Sequence, residues 1–257
     1  QFVCPAMAGS LLVEEIIGEE AAESLRLFLS TCPLPVAPND ALTESYWASF
    51  EEPKNAVDLL ICQLRRQPGL EEILAKCIGA EWWWQDTDEE DPPKIYHTDC
   101  NLVLPQSATE AVKSHPEWSS VLYLTNVGGP TAIFHHTEVL AVWPRIGRYL
   151  LFPGAHLHCV LAEPFSWSGD RMTLLINWWT HEPYGFSPSP EISPLHGHRN
   201  SGGLKMIRPS TVPLEERFEA HLEDWRAQRV PEQLLTRKEE EILAVKYPTE
   251  PPEDWWT

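Results

Sequence analysis

Between residues 94 and 180 the chain is cut into short β-branched and aromatic runs, each closed by turn residues. This punctuation constrains the fold more than any other feature. The runs cover 94–99, 121–124, 131–134, 140–143, 148–152, 158–161 and 171–179. Gly128-Gly129-Pro130, the stretch 144–147, Pro153-Gly154 and Ser168-Gly169-Asp170 separate several of them. Glycine admits positive φ and proline removes an amide donor, so strands end at these points. Regular short strands with such breaks predict a sandwich or barrel.

The flanks read differently. From Ser10, the residues Leu12, Ile16, Ile17, Ala21, Leu25 and Phe28 recur at helical spacing, predicting a helix that Cys32-Pro33 closes. A second helix is expected after an Asn55 cap, using Val57, Leu60, Ile61 and Leu64, and a third over 70–78 ending at Gly79. Residues 81–93 hold Trp82-Trp83-Trp84, the acidic run 86–91 and two prolines, a loop by composition and a place for a lid. Past 186 a Pro, Ser and Gly loop leads to helices capped near Thr211 and around 232–245. The 257 residues are expected to form one domain: 1–93 helical scaffold and lid loop, 94–180 β core, 181–257 loop and helices.

Charge narrows the partners. Lys plus Arg number 19 against 38 Asp plus Glu, a formal charge of −19. Such a surface repels phosphate backbones and anionic lipid, so neither nucleic acid nor a membrane is expected. No run of about 18 apolar residues occurs. The first residues lack the basic start and apolar middle of a secretory leader. The six cysteines contain no Cys-x-x-Cys pair. Reduced thiols in the cytoplasm are the expectation.

The chemistry gathers around His97-Thr98-Asp99. On a strand, positions i and i+2 share a face, so the imidazole and the carboxylate point the same way. A second histidine from elsewhere would complete a two-His, one-carboxylate set, which holds one side of an octahedral ferrous ion and leaves the rest open. That histidine is offered by His156 or His158, which share a face; the spacing from Phe152 and the following x-Val favour His158. Arg171 and Thr173 also stand at i and i+2. A guanidinium beside a hydroxyl suits a ligand carboxylate.

In this order, His97-Thr98-Asp99, Gly128-Gly129-Pro130-Thr131, Gly147-Arg148 to Phe152, His158-Cys159-Val160 and Arg171-Met172-Thr173 resemble the iron(II)/2-oxoglutarate-dependent dioxygenase superfamily. The match spans about residues 94–180. The resemblance implies an α+β, mainly β fold: a double-stranded β-helix, or jelly roll, with N-terminal helices packed on its major sheet and a C-terminal helical extension. It implies His97, Asp99 and His158 as iron ligands, and Arg171 with Thr173 on the distal carboxylate of 2-oxoglutarate. Tyr149, Tyr123 and Asn101 become further contacts to that cosubstrate. The activity implied is oxidation of a small-molecule substrate by dioxygen, with 2-oxoglutarate decarboxylated to succinate.

The chain departs from the pattern in one respect, since thirteen positions rather than about ten separate His158 from Arg171. That spacing leaves room for an iron oxidase in which Arg171 grips the substrate's own carboxylate. A jelly-roll binding protein without catalysis is the reading from another class. Oligomeric state is left open by the sequence. His135 and His136 are adjacent, so on a strand no more than one of them faces inward.

Overall fold

The computed structural model describes residues 9–35, 45–88, 97–103, 112–135, 138–161, 169–183 and 186–191. The expected C-terminal helices, His136 and residues 89–96 lie outside these.

Two helices and twelve strands order the described residues. They are β1 (Leu11–Val13), α1 (Glu19–Thr31), β2 (Tyr46–Ser49), α2 (Ala56–Arg65), β3 (Gly79–Thr87), β4 (Asn101–Val103) and β5 (Val112–Ser114). There follow β6 (Trp118–Tyr123), β7 (Thr131–His135), β8 (Glu138–Val142), β9 (Tyr149–Pro153), β10 (Leu157–Val160), β11 (Arg171–Trp179) and β12 (Ser187–Pro188). The large sheet runs β1-β9-β6-β11-β3-β2-β12 and the small one β10-β7-β8, while β4 and β5 pair apart as a two-stranded ribbon. An antiparallel bridge between His97 and His158 adds the segment around His97 beside β10. From β6 onward the chain therefore passes between the two sheets: β6 in the large one, the β7-β8 hairpin in the small one, then β9 large, β10 small and β11 large. This is a double-stranded β-helix.

The large sheet is buried on both faces. On its outer face Leu122, Leu151, Leu174, Ile176 and Trp178 pack with Leu25, Phe28 and Leu29 of α1 and Leu60, Ile61 and Leu64 of α2. The inner face turns Val121, Tyr123, Leu150 and Phe152 toward Ile133, Leu140 and Val142 of the small sheet. Each fully buried aliphatic side chain is worth roughly 1.5–3 kcal/mol, so the helices are a structural necessity for a sheet this apolar.

Several boundaries differ from the sequence reading. The first helix begins only at Glu19, because Leu11–Val13 pairs with β9 and Glu15 takes φ 52°, a break no helix carries. Its end near Cys32 is as expected. Asn55 caps α2, its Oδ1 accepting from the amides of Val57 and Asp58. Residues 70–76 form consecutive turns, and 70–78 holds no regular helix. The largest correction concerns 81–93: Gly79–Thr87 is a central strand paired with β11 along nine positions, so the tryptophans belong to the sheet and not to a lid. Trp82 is fully buried and its indole donates to Asp58 Oδ1 (3.1 Å) and Ser189 Oγ (3.0 Å).

Gly147 shows why one turn residue is fixed. It has φ 77°, a side chain there would collide with the carbonyl of Ile17, and its own carbonyl accepts from the Ile16 amide at 2.7 Å.

Candidate metal centre and anion pocket

His97 and His158 are locked to each other through the backbone. The His97 amide donates to the His158 carbonyl (3.0 Å) and the His158 amide to the His97 carbonyl (2.9 Å), which brings the rings to 4.3 Å between centroids. Asp99 Oδ1 lies 3.9 Å from His97 Nε2 and 3.7 Å from His158 Nε2. One donor atom from each of the three falls within 4.8 Å of the others. A metal ion could be held among them.

The surroundings orient each donor. His158 Nδ1 donates to the His156 carbonyl at 3.0 Å, which leaves the Nε2 lone pair facing the cluster. Ser119 Oγ donates to Asp99 Oδ2 at 2.6 Å, occupying that oxygen and turning Oδ1 toward the two imidazoles. His115 Nδ1 donates to the Asp99 carbonyl at 2.6 Å and fixes the backbone behind it. Burial lowers the His158 pKa, and the charge of Asp99 works against that shift. His158 is thus held neutral, as a metal ligand must be. The His97 side chain is 45% exposed, against 8% for His158, so the cluster opens on the His97 side.

Farther along the inner face of β11 lies a buried cation. Arg171 is 3% exposed, with Nε donating to the Gly129 carbonyl (3.2 Å) and Nη2 to Thr131 Oγ1 (3.3 Å). Gly128 takes φ 92° where a side chain would run into Arg171, so the Gly128-Gly129-Pro130-Thr131 turn is shaped around the guanidinium. Among the described residues no carboxylate pairs with it, and burial pulls its pKa down. Thr173, next on the same face, is 1% exposed and its Oγ1 has no hydrogen-bond partner. An unpaired cation and an unsatisfied hydroxyl side by side are costly in a dry interior. Both are relieved by an anion with oxygen acceptors.

Tyr123, opposite Thr173 in register, faces the same interior. Its hydroxyl bonds Thr131 Oγ1 (2.8 Å) and the Val142 carbonyl (3.1 Å), and its ring lies 5.7 Å from the Arg171 guanidinium. Asn101 is buried at the start of β4. Tyr149 must be corrected: it points to the opposite, helix-covered face, where its hydroxyl accepts from Trp178 Nε1 at 3.1 Å. Side chains alternate along β9, and Leu150 and Phe152 take the inward positions. His158, not His156, joins the cluster. The His135 side chain lies outside the description. Cys159 points away into a small cluster with Ala132 and Leu161, and burial pushes its thiol up to about 12.

Ser119 and His115 were not foreseen. Nothing local marks them, since each acts on a residue at least sixteen positions away. The five cysteines among the described residues are free thiols. No helix among those residues is long and apolar enough to cross a membrane.

No family model and no curated protein matches the sequence. Solved structures similar to the chain include a prolyl-4-hydroxylase from Pseudomonas putida (17% identity, 68% of this chain and 89% of that one, TM-score 0.45). HygX from Streptomyces hygroscopicus, with nickel and 2-oxoglutarate bound, is 14% identical over 67% of this chain and 83% of its own, with TM-score 0.42. A 2OG-Fe(II) oxygenase family oxidoreductase from Burkholderia pseudomallei is 12% identical over 69% and 88%, with TM-score 0.42. The jelly-roll assignment itself stands on the strand order, and the chemistry on the His97, Asp99 and His158 cluster.

Proposed function

We propose that the chain is a non-haem iron(II)- and 2-oxoglutarate-dependent dioxygenase that oxidises a C–H bond of a small molecule. One observation carries the reading. A two-imidazole, one-carboxylate cluster shares the barrel interior with a buried Arg171 and an unsatisfied Thr173, both lacking a counterpart among the described residues. The nitrogen and oxygen donors suit ferrous iron, and the three of them leave sites open. Arg171 and Thr173 suit a carboxylate.

Iron bound there would supply dioxygen activation: substrate, oxygen and 2-oxoglutarate give oxidised substrate, succinate and carbon dioxide. The residues of this chain do the rest. His97, Asp99 and His158 hold the metal on one side. Arg171 and Thr173 fix the far carboxylate of the cosubstrate, with Thr131 and Tyr123 bracing the guanidinium. Val121, Leu150 and Phe152 line a dry interior that keeps water from the reacting atoms. The acidic surface argues for a substrate other than nucleic acid, and the free thiols suit the cytoplasm.

The test is anaerobic titration with ferrous iron and 2-oxoglutarate, read as the weak visible charge-transfer band. The band is expected in the native chain, absent in His97→Ala, and needing at least about tenfold more 2-oxoglutarate in Arg171→Ala, the loss of a charge-assisted pair. Iron binding without any band would hand Arg171 to a substrate carboxylate and end the 2-oxoglutarate reading. No iron binding would end both.

A further inference from the structure

The interior holds a second buried charge that the proposed chemistry leaves unused. Glu81, on β3, is 8% exposed. Ser45 Oγ donates to its Oε1 at 2.7 Å, while Asn177 Nδ2 and Trp179 Nε1 each donate to its Oε2 at 3.2 Å. All three donors are neutral. Among the described residues no Lys, Arg or His forms an ion pair with it. Burial above all, with the charge of Asp99 adding to it, raises its pKa to about 7 despite those hydrogen bonds. A cation is what this carboxyl lacks.

Its position ties it to the metal cluster. Glu81 pairs with Asn177, and Asn177 pairs on its other side with Ser119, whose hydroxyl holds Asp99. Glu81 therefore stands two strands from Ser119 on the same face, about 9–10 Å across the sheet. On the other side of Glu81, in register, is Trp47, and its ring occupies the space where Gly79 has no side chain. Trp83 is the next inward residue of β3. Both indoles are only partly buried. A carboxylate between two half-buried indoles is the recognition chemistry of an organic cation, and the excess of acidic groups raises the local concentration of cations.

We infer that Glu81, flanked by Trp47 and Trp83, binds a cationic nitrogen of the substrate, an ammonium or a guanidinium. The inference rests on the proposed function in taking the barrel interior as the substrate chamber. Arg171 then anchors the anionic cosubstrate and Glu81 the cationic substrate, with the His97 cluster reached from both.

Intrinsic tryptophan fluorescence of the full chain, loaded with nickel(II) and 2-oxoglutarate at pH 8, reads the site directly. The probes are n-butylammonium, n-butylguanidinium and the neutral n-butanol. One of the two cations should saturate at concentrations at least about tenfold below n-butanol. Glu81→Gln, shown to be folded by circular dichroism, should lose that preference. Trp83→Leu, at a half-buried position, should weaken it severalfold. Cations that bind no better than n-butanol, or a preference that survives Glu81→Gln, overturn the inference. Should Glu81→Gln fail to fold, an unchanged preference in Trp83→Leu overturns it instead. Parallel titrations with nickel(II) and 2-oxoglutarate keep the two readings apart. If both bind without any cation preference, only the subsite fails; a cation preference without metal or 2-oxoglutarate binding sinks only the dioxygenase.

Discussion

The two faces of β11 have the same burial and opposite chemistry. Outward, Met172, Leu174, Ile176 and Trp178 pack against the helices, and the one polar atom of Trp178 is satisfied by Ser120 and Tyr149. Inward, the same nine residues present Arg171, Thr173 and Asn177 to the barrel. A fully satisfied face holds the fold together. The other carries unpaired charge and an orphan hydroxyl, which a ligand is needed to complete. Stability and function are thus written on alternate residues of one strand.

Substitutions can break this contrast. The largest effect is expected on the inner side: His97→Ala should abolish saturable cobalt(II) binding by calorimetry while leaving the melting temperature of the apoprotein nearly unchanged, since His97 is exposed. Next comes the outer face. Trp178→Ala removes a fully buried indole and should destabilise the chain by about 3–5 kcal/mol in urea unfolding.

The third effect is a pH dependence. Glu81 keeps its proton up to about 7 in the folded chain, against 4.5 for an ordinary glutamate, so between those values the folded state binds more protons. Its contribution to stability must fall as pH rises through that window, by roughly 3 kcal/mol in all. The difference between native and Glu81→Gln unfolding curves should carry this slope; a flat difference would show the carboxyl is ionised throughout. The smallest effect is expected from Ser119→Ala. Freeing Asp99 Oδ2 should weaken cobalt(II) binding about tenfold and shift the visible cobalt spectrum. An unchanged spectrum would remove Ser119 from the support of the centre.

The sequence made the core legible where one face alternates or turns are marked. Arg171–Trp179 was bounded to the residue, and β7, β9 and β10 within about a residue at each end. Gly79–Thr87 was hidden because its first half is covered on both faces and apolar residues run on through Trp82-Trp83-Trp84, so the segment lacks any alternation and looks like a loop. Leu11–Val13 is a short edge strand whose apolar spacing runs on into α1, and only the backbone at Glu15 separates the two. His97, Asp99, His158, Arg171 and Thr173 carried local spacing that could be read. Glu81, His115 and Ser119 carried none, because their partners are set by strand register. Tyr149 was misplaced because a single sequence does not tell which parity of β9 is inward.

The reciprocal pair of backbone bonds between His97 and His158 has a kinetic consequence. These residues are sixty-one positions apart, and the strands between them must fold back before the two amides meet. Closing so long a loop comes late in a folding reaction, since its entropy must be lost before the contact returns anything. The donor set is consequently absent from any nascent or half-assembled chain. A metal ion offered during folding would bind only once these two segments have met, and would then act as a latch on that long-range contact.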